Sequence, residues 1–574
     1  MTAGRNRSGT TSHSRPRTRR RALAALLALW LMAAACATPG PAPATGRAMT
    51  PLVDGSAARP QDNRVAPAGA QAPVPSPDRP TSAIARYDWP QFNGDAQHSG
   101  NNTLETTINA GNVGRLRLRF AVALPAPVDG APAYLSGVTT AAGLRDLLFL
   151  TTTAGHILAV DAQDGSVVWV HQNGPGSCTI AGGSSPCYTT ASPAADPNRQ
   201  SVYSYGLDGR VHKYAVGSGS EVTTGGWPAV ATLKGNVEKG SSALTVAVTD
   251  GGTRYLYVAN GGYPGDAGDY QGHITAVNLG DGSQHVFNLA CSDRPVHFAI
   301  APAAPNCPAV QTAVWARPGV VYLPATDRIY AATGNGSFDP AGHDWGDTLF
   351  ALHADGTGAG GDPLLTYTPT DQQALAAADA DLGSAAPAIL PVPSGSTVAH
   401  LALQGGKDAR LRLLDLDNPS GQGGAGHLGG ELAALPIPQG GAMLTAAAVW
   451  RDPHDGSTWV FIANGSGIAG LQLVLDGQGH PTLQPRWQQT GPGGTSPLLA
   501  NDVLYEAGSG PGLRALDPLT GRQLWQDRTP AAIHWQSPIV ANGMVYLTDT
   551  AGRLLAYALT PPLPPAAFLP SIAR

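Results

Sequence analysis

Short runs of alternating apolar and polar residues fill most of this chain, and they come in sets. From Tyr87-Asp88-Trp89-Pro90-Gln91-Phe92 onward a unit recurs at roughly 40 to 60 residues. It has a start that is usually a small residue before Pro, a short apolar strand, a second strand ending near Gly, and an alternating strand running into an Asp-x-x-Gly-type turn. Starts fall at Ala131-Pro132, Ser192-Pro193, Ser242-Ala243, Arg317-Pro318, Ala386-Pro387, Thr445-Ala446, Ser496-Pro497 and Ser537-Pro538. Alternation buries one face of each strand against its neighbours, so the pattern predicts an all-β, eight-bladed propeller.

The clearest third strands run from Gly155 to Asp161, turning at Gly165 ahead of Trp169, and from Gly512 to Asp517, turning at Gly521 ahead of Trp525. Gly209 to Tyr214 and Gly272 to Asn278 repeat the strand with looser turns. Both tryptophans are expected to pack between blades. The last unit ends its third strand at Leu559, just before Pro561-Pro562, with no sequence left for a fourth. Leu116-Arg117-Leu118-Arg119-Phe120-Ala121-Val122 precedes the first unit and alternates as an outer strand does. It is expected to complete the eighth blade, closing the ring and removing open sheet edges.

Composition agrees: 72 Gly and 50 Pro in 574 residues, with 13% charged, suit a turn-rich β protein rather than a helical one. Residues 1–35 carry seven Arg and no acidic residue; without them 28 Lys and Arg face 40 Asp and Glu, an acidic balance that argues against a phosphate-backbone binder. The Arg-rich start and the uncharged, mostly apolar run Ala22 to Ala35 read as a signal peptide over 1–35. Ala33-Ala34-Ala35-Cys36 approximates a lipoprotein signal, which predicts lipid on Cys36 and a membrane-anchored or otherwise exported protein. Residues 36–86 are a Pro- and Ala-rich tether, 87–559 the propeller and 560–574 a tail. The other four cysteines fall into local pairs in Gly/Pro/Ser-rich loops, and disulfides Cys178–Cys187 and Cys291–Cys307 are expected.

Candidate chemistry concentrates between Trp315 and Asp415. There an aromatic residue (Trp315), a Gly-flanked amide (Asn335 in Thr-Gly-Asn-Gly), a close carboxylate pair (Asp379 and Asp381) and one of only four lysines (Lys407, after Gly405-Gly406) are separated by strand-like runs. These are the parts of a buried polar site. Each also has a plain role open to it: Asn335 as a turn residue, the two aspartates as loop carboxylates, Lys407 in a rim salt bridge, Trp315 in blade packing. His297, His343 and His353 show no metal-ligand spacing.

The repeat Gly-x-Ile/Leu-x-Ala-x-Asp-x-x-x-Gly-x-x-x-Trp over residues 87–559 resembles that of the pyrroloquinoline quinone (PQQ) propellers, the eight-bladed quinoprotein alcohol dehydrogenase-like family. The central stretch resembles the dehydrogenases beyond the repeat. The resemblance implies that Trp315 floors the quinone, that Asn335 and Asp379 serve a calcium ion, that Lys407 and Asp381 border the cofactor, and that Asp379 is the catalytic base, with Asp371 similar to an upstream aspartate. The implied reaction is oxidation of an alcohol or sugar-like substrate, with electrons passing to a separate acceptor. Three positions depart from the family pattern. Its calcium-binding Glu is expected within Gly261 to Gln271, where only Asp266 and Asp269 stand; there is no adjacent Cys-Cys pair; and Ala378 replaces a tryptophan. The rival implication is a cofactor-free propeller lipoprotein that binds envelope proteins or glycans.

Overall fold

The computed structural model describes residues 86–174, 176–421 and 425–560. The signal segment, Cys36 and the tether up to Ala85 lie outside the described residues, as does the tail from Pro561. The described chain is nearly all β, and its strands form eight blades in the order of the eight starts.

In the first blade Ala133–Thr140, Gly143–Thr151, His156–Asp161 and Val167–Gln172 follow one another outward from the axis, and the later blades repeat this order. The predicted third strands occupy third place, as in His156–Asp161, Arg210–Ala215, His273–Asn278 and Gly512–Leu516. The turns after these strands, each Asp-x-x-x-Gly, close by backbone bonds from Gly165 N–H to Asp161 O (2.9 Å) and from Gly521 N–H to Asp517 O (2.8 Å). Both glycines have φ above 70°, a conformation that carries no steric cost without a side chain. Trp169 is buried and donates its indole N–H to Val216 O of the second blade (2.9 Å), whereas Trp525 is half-buried and meets Tyr557 edge-on.

Leu116–Ala123 pairs antiparallel with Arg553–Leu559 and completes the eighth blade beside Met544–Thr548 and Ile539–Ala541. The seam is well packed: one apolar cluster runs unbroken through the seventh, eighth and first blades, from Leu513 through Tyr557 to Leu158. Spacing departs from the regular repeat between the third and fourth blades, because residues 289–316 form an insert there, stapled by Cys291–Cys307.

A second closure was not expected. Residues 89–102 run past the inner strands in ring order and cap their free edges with hydrogen bonds. Trp89 pairs with Tyr134 of the first blade, Pro90 O accepts from Ala195 N–H of the second, and the Gln91 amide bonds Val246 of the third. Ala96 O, Ser99 O and Gly100 O then accept from Tyr322, Val449 and Leu499 of the fourth, sixth and seventh blades, and Asn102 reaches Val540 O of the eighth.

Candidate active site

The candidate residues come from loops at one face of the propeller, where inner strands begin and second strands end. The insert places the aromatic one. Its segment Gln311 to Trp315 threads between two such loops, bonded to Tyr270 O and Gly272 N–H of the third blade and to Asn335 O and Gly334 N–H of the fourth. The fit is close: a Cβ on Gly272 would stand 1.7 Å from Thr312 O, and one on Gly334 would meet both Trp315 Nε1 and the Asp381 carboxyl at 3.1 Å. Trp315 packs on Val237, Tyr270 and Ala313, half-buried.

Around this ring the structure brings together Asn335, Asp379, Asp381 and Lys407, from the fourth and fifth blades. Asp381 is their hub. Buried, it accepts from Asn335 N–H (2.9 Å) and Trp315 Nε1–H (3.2 Å) and pairs with Lys407 Nζ (2.7 Å). Lys407 also pairs with Asp379 (2.9 Å) and lies 5.3 Å from the Trp315 ring centroid. The helix Gln372–Ala377 ends just before Asp379, whose φ of 51° turns its half-exposed carboxylate to the open side. The third blade adds Asp266, which accepts from Asn335 Nδ2–H (3.1 Å) and from the Tyr270 hydroxyl (2.6 Å). Of the two aspartates left open by the sequence, Asp266 therefore joins the cluster. Asp269 turns away to the buried Lys234 and to Ala301 N–H.

The electrostatics follow from three carboxylates around one ammonium. Burial raises the pKa of Asp379, Asp381 and Asp266 reinforce the shift, and Lys407 offsets part of it. Burial disfavours the Lys407 charge, but Asp381 and Asp379 outweigh it and its pKa is raised. Asp347, which sequence reasoning passed over, sits behind the cluster: it accepts from Leu382 N–H (3.1 Å), its Oδ2 has no partner, and burial pushes its pKa up to about 7.

Two further cations lie near the axis, both unforeseen in the sequence. Arg317 is fully buried and donates across the ring to Asp129 O, Thr190 O, Thr190 Oγ1 and Ser241 O. Lys239 is 7% exposed, with its ammonium 4.2 Å and 5.7 Å from the ring centroids of Tyr188 and Tyr263. Burial, with the Arg317 charge adding, pushes the Lys239 pKa down to about 7. Lysine is scarce in this chain, and that scarcity was the signal available for finding it.

The predicted disulfides are present. Cys178–Cys187 staples the hairpin Ser177–Ile180/Gly183–Pro186, which rests on the loop carrying Asp266 through Ala181 N–H to Pro264 O (3.1 Å) and on the segment before Glu238–Gly240 through Thr179 N–H to Asn236 O (2.8 Å). Cys291, Cys307 and Asp344 cluster within 4.8 Å, but both sulfurs are committed to the second bridge. His297 is half-buried and edge-on to His273, with burial pushing its pKa down to about 3, His343 pairs with Asp362, and His353 is exposed.

Comparison with known proteins gives a consistent picture. A family model described as outer membrane protein assembly factor BamB matches residues 110–261 and 448–560. Among curated proteins nothing matches the chain. Among solved structures, a europium-containing methanol dehydrogenase is similar at 15% identity and TM-score 0.56, over 82% of this chain and 98% of that one. A quinohemoprotein alcohol dehydrogenase from Comamonas testosteroni is similar at 16% identity and TM-score 0.54, over 83% of this chain and 81% of the other. At these identities the likeness is one of fold. Among the described residues no helix is long and apolar enough to cross a membrane.

Proposed function

We propose, from the premise that the chain belongs to the PQQ-like β-propeller family, that it is an exported quinoprotein-type oxidoreductase acting on an alcohol or sugar-like substrate. One observation carries the reading: residues from three blades converge on the Trp315 ring as a hard-oxygen donor set with a lysine beside it. Blade packing has no need of such a cluster.

The residues fit the implied groups. Asp266, Asp379 and Asp381 leave two negative charges uncompensated by Lys407, and the Asn335 side-chain oxygen takes no hydrogen bond, a combination that suits calcium. Trp315 offers a planar, polarizable floor for a quinone. When bound, PQQ would supply the hydride acceptor for the alcohol carbon and calcium would supply a Lewis acid. The chain's own residues do the rest. Asp379, accessible and with a raised pKa, takes the hydroxyl proton. Asp381 holds Trp315, Asn335 and Lys407 in register. The Lys407 ammonium, beside the Trp315 ring, would favour negative charge on an oxygen held there. Electrons leave to a separate acceptor, and residues 1–35 and Cys36 serve export and lipid anchoring.

The test is reconstitution of the purified chain with PQQ and calcium, followed by alcohol oxidation with an artificial electron acceptor. Asp379→Asn is expected to retain most quinone binding and lose turnover by at least about 100-fold, the usual scale of a general base. A second reading, a cofactor-free binding propeller, is favoured by one detail: Lys407 already bridges Asp379 and Asp381 over the Trp315 ring. Failure of the wild-type chain to bind quinone would select it.

A further inference from the structure

The third blade gives the centre one carboxylate, and it is the least secured of the set. Asp266 is exposed on the loop between Arg254–Gly262 and His273–Asn278, in a left-handed turn (φ 50°) flanked by Gly265 and Gly268. We infer that Tyr270 is a positioning residue for cation binding: its hydroxyl holds Asp266, and through Asp266 the Asn335 amide, in the ligating arrangement. The inference rests on the calcium donor set of the proposed function.

Tyr270 is itself fixed. It is fully buried, its ring packs with Val237, Ala313 and Trp315, and its carbonyl accepts from Gln311 N–H (2.8 Å). The ring also lies so close to the preceding strand that a Cβ on Gly262 would stand 2.4 Å from it. From this anchored ring the hydroxyl donates to Asp266 Oδ1 (2.6 Å). Burial raises the Tyr270 pKa, and the Asp266 carboxylate adds to the shift, so the hydroxyl keeps its proton and remains a donor.

The bond passes its order on. With Oδ1 engaged by Tyr270, Oδ2 accepts from Asn335 Nδ2–H (3.1 Å), which leaves the amide oxygen free. One hydroxyl thus orients oxygen donors from two blades. Aspartate is one methylene shorter than the glutamate that the family resemblance places in this loop, so its reach depends on where the backbone carries it; the left-handed turn, which aspartate tolerates, sets that position. Without the hydroxyl, an exposed carboxylate on a glycine-flanked loop is free to sample other rotamers, and ordering it draws on the binding energy of the cation.

Calorimetric titration of the metal-free full chain with calcium chloride, in the absence of quinone, tests this. Tyr270→Phe removes the hydroxyl and keeps the ring. It is expected to weaken calcium binding by roughly tenfold, the low end of the effect of removing a hydrogen bond to a metal ligand, with near-UV circular dichroism and the metal-free melting temperature unchanged. In an Asp266→Ala background, where Asn335, Asp379 and Asp381 still bind calcium more weakly, the same substitution is expected to change nothing, because the hydroxyl has lost the carboxylate it acts through. A packing role under Trp315 predicts instead the same loss in both backgrounds. Wild-type affinity in Tyr270→Phe, or an equal loss in both backgrounds, overturns the inference and leaves the donor set standing. A wild-type chain that binds no calcium overturns the donor set and the inference with it.

Discussion

Lys239→Met should stabilise the protein, and by an amount that depends on pH. The ammonium is buried against Tyr188 and Tyr263 with Arg317 nearby, and its pKa falls from 10.5 to about 7. That drop of about 3.5 units corresponds to at most ~5 kcal/mol, at ~1.36 kcal/mol per unit. The aromatic faces return ~1–2 kcal/mol, leaving about 3 kcal/mol as the cost of the buried charge. The sign follows from the direction of the shift. Between about pH 7 and 10.5 the unfolded chain holds a proton that the folded protein does not, so wild-type stability gains from this group as pH rises through that window. Below it both states are charged and the full cost applies. Methionine keeps the volume and removes the charge. Urea unfolding of both proteins at several values from about pH 6 to 10 should show the variant ahead by about 3 kcal/mol at the acid end, the gap closing toward the alkaline end. Other titrating groups are common to both proteins and cancel in the difference. A gap independent of pH, or a wild type more stable at pH ~6, would refute the assignment of a buried, depressed lysine.

The remaining expectations concern the axis and the anchor. Arg317→Met strands the carbonyls of Asp129, Thr190 and Ser241, and should lower the urea midpoint by the equivalent of ~3 kcal/mol or more with an unchanged slope; an unmoved midpoint would mean that water replaces the guanidinium. Removing residues 1–85 should leave thermal stability as it is, whereas removal through Asn102 uncaps inner strands of seven blades and should cause a large fall in melting temperature or insolubility. Cys36→Ala should move the protein from the membrane to the soluble fraction without altering its circular dichroism; unchanged partition would remove the lipid anchor.

What could be read from the sequence was whatever the repeat encodes locally. Each blade start and each Asp-x-x-x-Gly turn depends on a few neighbouring residues, so eight blades were countable, and the missing fourth strand after Leu559 identified Leu116–Ala123 as its replacement. The grouping of Trp315, Asn335, Asp379, Asp381 and Lys407 was legible through family resemblance, but their division of labour was not. Burial makes Asp381 the hub and leaves Asp379 accessible, a distinction that two carboxylates two positions apart do not announce. Asp266 and Asp269 were equally placed until Lys234, fully buried, claimed the second. Arg317 and Lys239 act through partners up to 188 residues away, and the edge-capping run 89–102 carries no strand alternation to betray it.

That run has a consequence for the order of assembly. Tyr87 bonds Asn542, 455 residues later, and the residues after it need inner strands from nearly every blade. Synthesised first, the segment has no partner until most of the chain has been made. It is therefore among the last parts to settle, and its contacts give the fold a high contact order, which slows folding. Until it docks, the blades that have formed present unpaired inner edges, the surfaces most open to mispairing with another copy.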